Sequence, residues 1–279
     1  MNDEQPYYYR GPVALIIGCG DMGMGTARLI GMQHPLFLIN TRQDRLDIAI
    51  AALRSEGYVV SGQTCDITDP AQTTALGQVL ANGPGVRTIA HVAAIGGAQG
   101  DWRKILSINL MGAHNVVNAV RPHMVRGSVA VFVSSSGAYI AEPDSTRDAL
   151  LESPLAPDFF AALIKLIGRE PTAFEAYCYS KRALNSYARR LAVAWGPDEI
   201  RSVSVSPGSI YTSMSRLNRP SPEARKEIIN RVPLGREGTT HETCAVIAFL
   251  ASDAASYVTG VDLLIDGGAS AAKARQGTF

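Results

Sequence analysis

The chain has 279 residues, and its 26 Lys+Arg balance 25 Asp+Glu to a formal charge of +1. That balance leaves no strong field to recruit nucleic acid or an anionic membrane, and a chain that is 46% hydrophobic and 18% charged is not a disordered one. No apolar run approaches the roughly 18 residues that a membrane span needs.

Met1–Arg10 (MNDEQPYYYR) is polar and aromatic and lacks the charged-then-apolar order of a signal peptide, so a cytoplasmic protein is expected. From there short apolar runs alternate with helical patterns. Val13–Ile17, Leu36–Ile39, Tyr58–Ser61, Thr88–Val92, Val129–Val133, Ser202–Val205 and Val261–Ile265 predict strands. They are Val/Ile-rich and unbroken, the pattern of strands buried on both faces. Thr26–Met32, Arg45–Glu56, Asp101–Val120 and Lys181–Trp195 predict helices between them. Strand–helix–strand repetition predicts an α/β fold, a single doubly wound domain over 1–279 with a seven-stranded parallel sheet and helices on both sides.

The stretch 139–175 breaks the rhythm and predicts a helical insertion after the fifth strand. Within it, PDFFAALIKLIG places Phe160, Leu163, Ile164 and Ile167 at helical spacing, with Gly168 as the expected stop. Phe159 and Leu166 widen the apolar surface past one stripe. Such a helix needs cover on more than one side, from a partner subunit, a substrate cleft or the core itself. A second segment, 212–232, is expected to border the substrate, with a short helix capped by Ser221 and begun by Pro222. The four cysteines, Cys19, Cys65, Cys178 and Cys244, are scattered without ligand spacing, so neither a metal site nor a disulfide framework is expected.

Gly18, Gly20 and Gly23 form GxGxxG between the first strand and a helix, the fingerprint of a dinucleotide site. One glycine permits the tight turn, one lets the backbone approach a pyrophosphate, and one lets helix and strand pack closely. The helix N-terminus then favours the anion. At the end of the second strand an acid would hold the ribose 2′-OH of NAD, but this chain reads Ile39-Asn40-Thr41-Arg42-Gln43. The guanidinium of Arg42 suits a 2′-phosphate, so NADP(H) is expected over NAD(H). Asp44 stands close by and keeps NAD(H) open.

Tyr177 and Lys181 lie at i and i+4 on one helical face. A free tyrosine titrates near 10, so proton exchange at neutral pH needs a shift of about three units, or about 4 kcal/mol. A cation about 4 Å away at an effective dielectric of about 20 supplies about that much. Tyr179 is the rival tyrosine, but two residues from Lys181 it points elsewhere.

Together these features resemble the short-chain dehydrogenase/reductase family over about Pro12–Gly268. The likeness includes Cys65-Asp66-Ile67-Thr68-Asp69, Ser107-Ile108-Asn109-Leu110-Met111-Gly112 and Val133-Ser134-Ser135. It continues through Ser206-Pro207-Gly208-Ser209-Ile210-Tyr211-Thr212-Ser213-Met214, Pro233-Leu234-Gly235-Arg236, Phe249–Gly260 and Asp266-Gly267-Gly268. The resemblance implies a Rossmann-type fold and a set of roles. Tyr177 would be the acid–base group. Lys181 would lower its pKa and bind the nicotinamide ribose. Ser135 would hydrogen-bond the substrate oxygen, with Ser134 a live rival and Ser136 a weaker one. Asn109 would disturb its helix locally and hold a water of a proton relay. Asp66 and Ile67 would border the adenine, and Pro207, Gly208, Ile210 and Thr212 the nicotinamide. Met22, Met24, Thr41, Ala93 and Ala94 complete the expected cofactor set. A homo-oligomer, dimer or tetramer, is implied as well.

Four departures stand out. Ile17 replaces the usual Thr before the first glycine, and the loop from Gly18 to Gly23 is one residue longer. His91-Val92-Ala93-Ala94 stands where the family has Asn-Asn-Ala-Gly, and the stretch from Ser135 to Tyr177 is unusually long. That long insertion and the tail past Asp266-Gly267-Gly268 look loosely like the bacterial 3α-hydroxysteroid dehydrogenase/carbonyl reductase type. The leading expectation is an enzyme that reduces a ketone or aldehyde, or oxidises a secondary alcohol, on an apolar small molecule. Ile140, Phe159, Phe160, Met214, Leu217 and Ile228 supply the apolar surface. The rival is a non-catalytic dinucleotide-binding sensor or scaffold on the same fold.

Overall fold

In a computed structural model that describes residues 11–218 and 221–276, seven parallel strands form one sheet in the order β3-β2-β1-β4-β5-β6-β7. They are β1 (Val13–Ile17), β2 (Leu36–Asn40), β3 (Val60–Thr64), β4 (Val86–His91), β5 (Met124–Val133), β6 (Arg201–Pro207) and β7 (Asp262–Ile265). The expected segment 1–10, and residues 219–220 of the expected 212–232 segment, lie outside the described residues.

Unbroken apolar strands arise because successive side chains serve opposite cores. Leu15, Ile17, Ile89 and Phe132 point to one side, where α3 (Pro70–Ala81), α5 (Gly112–Val120) and α8 (Ala173–Trp195) cover them. Ala14, Ile16, Leu38 and Val131 point to the other, under α1 (Asp21–Ile30), α2 (Gln43–Ser55) and α11 (Thr240–Ala251). Each fully buried Leu, Ile or Phe contributes about 1.5–3 kcal/mol.

Several boundaries differ from expectation, each for a local reason. β3 starts at Val60 rather than Tyr58, because pairing with β2 runs from Leu36↔Val60 to Asn40↔Thr64 and carries the strand through polar residues. The helix expected over Asp101–Val120 is α4 (Trp102–Leu106), a π-helical turn at Ser107–Met111, and α5. α8 begins at Ala173, well before Lys181, because Thr172 and Glu175 cap it reciprocally. α3 supplies the helix that strand–helix–strand repetition requires between β3 and β4, with Asp69 capping it and Pro70 opening it. α11 supplies the helix ahead of β7 and has a capping box, Thr239 with Glu242.

The 139–175 stretch holds α6 (Ser145–Leu151) and α7 (Phe159–Ile167), the latter ended by Gly168 at φ +78°. Phe159 and Leu163 enter a third core with Trp102, Leu106, Ala176 and Tyr179. Of the three covers left open for this helix, the chain itself supplies one. In the 212–232 segment lie α9 (Ser213–Asn218) and α10 (Pro222–Ile229), and Ser221 Oγ caps α10 by accepting from Ala224 N at 3.1 Å. α12 (Ala269–Gln276) closes the described chain. Among the described residues no helix is long and apolar enough to cross a membrane.

Candidate active site

Parallel strands put every strand-to-helix loop at one rim, and the glycine loop is the first of them. Gly18 sits at φ +101°, where a side chain would press on the Ala93 backbone at 3.1 Å, so the loop after β4 closes directly against it. A Cβ on Gly23 would fall 1.8 Å from the Gly18 carbonyl oxygen. Over Gly20 nothing lies within 4 Å, and no side chain caps α1. The first bond of the helix is Met24 N to Gly20 O at 2.9 Å, so the N–H groups ahead of Met24 have no acceptor within it. Open space and unclaimed donors at a helix N-terminus suit a pyrophosphate. The side chains of Met22 and Met24 pack partly against the core, and the Met24 N–H is already engaged.

The other expected cofactor residues follow along the rim. Thr41 N donates to Asn40 Oδ1 at 2.8 Å. Arg42 does not stand free: its guanidinium forks onto Asp44, with Nε 3.0 Å from Oδ1, and both side chains are exposed. Asp66 accepts from Thr68 N and Oγ1 at 2.9 and 2.7 Å, and the Ile67 carbonyl accepts from Asn115 at 3.0 Å. Beyond Pro207, Gly208 N donates to Ile265 O at 3.1 Å, Ile210 is buried, and Thr212 exchanges hydrogen bonds with Ser215.

Asn109 lies in the π-helical turn and is fully buried. Its amide clamps Ile95, accepting from Ile95 N at 2.9 Å and donating to Ile95 O at 3.0 Å. It also reaches Ser180 Oγ at 3.4 Å, which donates to the Tyr177 carbonyl at 2.7 Å. Thus the loop after β4 is tied to the turn of α8 that carries Tyr177. Ser134 and Ser135 part company. Ser134 is buried and donates to the Lys181 carbonyl at 2.8 Å. Ser135 is only partly buried, and its Oγ accepts from Gly137 N at 3.1 Å. Ser135 Oγ and Tyr177 Cε1 converge on Gly137, 3.4 and 3.2 Å from where its Cβ would be. Tyr179 turns away into the third core, beneath the Arg147 guanidinium at 4.5 Å. Ser136 opens the short 3-10 turn Ser136–Tyr139.

Lys181 Nζ donates to Val133 O at 2.8 Å and lies 5.8 Å from the centre of the Tyr177 ring. Burial pushes its ammonium down to about 7. Helical spacing alone would leave Lys181 fully charged at neutral pH; the fold puts the ammonium in a dry interior that shifts it toward the neutral amine. The fold also buries His91. Neither of its ring nitrogens has a partner, and burial, then the Lys181 charge, lowers its pKa to about 3.

The insertion is bolted to α8. Asp148 pairs with Arg182 at 2.9 Å and Glu152 with Arg190 at 3.2 Å. Its apolar cluster is lined by Ile95, Ala141 and Tyr177, so it walls one side of the rim. A cavity of about 910 Å³ lies elsewhere, between α3, α5 and the insertion's Leu155 and Phe160. None of Asn109, Ser135, Tyr177 and Lys181 lines it.

Residues 12–145 match the short chain dehydrogenase family model, and residues 167–270 match the enoyl-(acyl carrier protein) reductase model. The gap between the two falls in the insertion. A tropinone reductase homolog of Arabidopsis thaliana is 28% identical over 286 residues, covering 95% of each chain. A short-chain dehydrogenase/reductase of Alternaria brassicicola is 26% identical over 262 residues, covering 92% of this chain and 95% of its own. In fold the chain resembles a gluconate 5-dehydrogenase from Burkholderia cenocepacia, solved with NADP and tartrate, at a TM-score of 0.76, 22% identity and 94% and 96% coverage. The chain belongs to the short-chain dehydrogenase/reductase family and is an NAD(P)-dependent oxidoreductase acting between alcohol and carbonyl groups.

Proposed function

We propose that the chain interconverts a ketone or aldehyde and the corresponding alcohol on an apolar small molecule, with NADP(H) preferred and Tyr177 as the acid–base group. The observation that carries this reading is the convergence of Tyr177 and Ser135 on Gly137, with Lys181 beside the Tyr177 ring. When bound, the nicotinamide supplies hydride in reduction and takes it in oxidation. The glycine loop would hold its pyrophosphate, and Arg42 a 2′-phosphate. Tyr177 gives a proton to the substrate oxygen in reduction and removes it in oxidation. Ser135 donates a hydrogen bond to that oxygen as charge develops there. A charged Lys181 favours the phenolate of Tyr177. Asn109 fixes the Ile95 loop against α8 and orients the site from behind.

An apolar substrate is supported by Ile95, Ala141 and the half-exposed Ile140 on one wall, and by the exposed Leu217 on the other segment. The test is NADPH oxidation against a panel of ketones, wild type beside Tyr177→Phe. A chain that oxidises NADPH with none of them, while binding it, contradicts this reading.

A further inference from the structure

Asp21 is the first residue of α1, and its carboxylate joins the glycine loop to the segment after β6. Oδ2 accepts from Ser213 N at 2.5 Å, and Oδ1 accepts from Ser213 Oγ at 3.3 Å. Arg216 then donates to Ser213 Oγ at 2.9 Å. The Arg216 guanidinium also lies 5.2 Å from the Tyr211 ring, which Arg225 flanks at 4.5 Å. Arg225 is neutralised by Glu237, whereas Arg216 pairs with no carboxylate among the described residues. α9, which carries Ser213 and Arg216, also lies against the 3-10 turn Gly97–Gln99 after β4. It therefore spans the rim from one loop to the other.

A carboxylate at the first helical position is well placed while it is the only anion there. A dinucleotide brings two more negative charges to the same helix end, and like charges a few ångström apart repel. Two features answer that conflict. Ser213 draws the Asp21 carboxylate toward α9 with an N–H and an O–H. Arg216 brings to the same place a cation that no acid of its own neutralises.

We propose that Arg216 is a ligand for the cofactor's pyrophosphate, carried on a strap, Ser213–Asn218, that Asp21 ties to the glycine loop. The proposal rests on the dinucleotide reading of that loop and adds a charged ligand from outside it. The chemistry recognised is the diphosphate that NAD and NADP share, so Arg216 strengthens both and selects neither.

The test is a titration of wild type and Arg216→Gln with NADPH and with NADH, following nucleotide fluorescence. The expected result is a rise of about tenfold in both Kd values with their ratio unchanged, the loss of one charge-assisted hydrogen bond. Values within twofold of wild type for both nucleotides, or a loss confined to one, overturn it. A wild-type chain that binds neither nucleotide overturns the dinucleotide reading instead. A second arm follows trypsin cleavage after Arg216 in the nucleotide-free chain. Asp21→Ala is expected to speed that cleavage at least about threefold, with global stability read in parallel by urea. An unchanged rate means that Asp21 does not hold the strap.

Discussion

Ser134 and Lys181 hold each other through the main chain: Ser134 Oγ donates to the Lys181 carbonyl at 2.8 Å, and Lys181 Nζ donates to the carbonyl of Val133 at 2.8 Å. The exchange stitches the end of β5 to the middle of α8 and commits the Ser134 hydroxyl to the fold. Ser134→Ala is therefore expected to lose about 1 kcal/mol of stability in urea. Ser135→Ala removes only the partly exposed cap on Gly137 N and is expected to cost less stability than Ser134→Ala, while losing about 10²-fold in kcat/KM. The reverse pattern would move the catalytic role to Ser134.

The buried ammonium of Lys181 is a burden on the fold. Its value is about 7 against an ordinary 10.5, so the unfolded chain binds more protons between those limits. The penalty is whole below pH 7 and fades as pH rises toward 10.5. Lys181→Met, though expected to be inactive, should gain about 1–3 kcal/mol at pH 6. Thermal melts across pH 6–10 check this, because the gain must shrink as pH rises.

His91 works against the fold from the acid side. Its folded value of about 3 lies below the ordinary 6.5, so the stability of the neutral ring is lost as pH falls from 6.5 toward 3. His91→Phe keeps the shape, removes two unpartnered nitrogens, and should gain about 2 kcal/mol relative to wild type on going from pH 8 to pH 5. Urea titrations at both pH values measure it. A gain that does not grow at low pH refutes a buried neutral imidazole.

The Arg42–Asp44 fork is solvent-exposed, and exposed pairs of this kind contribute little. A 2′-phosphate can therefore displace Asp44 from Arg42. Arg42→Ala is expected to lower kcat/KM with NADPH about tenfold and to leave NADH nearly unchanged, while Asp44→Ala raises it with NADPH. Steady-state assays with both cofactors check the pair. A wild type that prefers NADH contradicts the assignment of Arg42.

β1, β2 and the second half of β5 were readable because they are apolar on both faces, a pattern that local sequence carries by itself, whereas β6 shows a Val/Ser alternation that the fold nevertheless buries throughout. β3 was displaced because its edge position tolerates Ser61, Gln63 and Thr64, and only pairing with β2 defines its length. α3 and α11 show weak amphipathic patterning, and the signals that could have found them were their caps, Asp69-Pro70 and Thr239 with Glu242. At the site, Tyr177 and Lys181 could be paired from helical spacing alone. The division of labour between Ser134 and Ser135 could not, because it depends on which hydroxyl meets the α8 backbone. The depth of Lys181 and the fork of Arg42 onto Asp44 are likewise tertiary and rotameric facts.

Everything in the catalytic reading turns on the phenol of Tyr177. The direct measurement is kcat for the best ketone of the panel with Tyr177→Phe, alongside the Kd for NADPH. A fall of about 10³-fold in kcat with Kd within twofold of wild type is the predicted result. Turnover within tenfold of wild type would contradict the account.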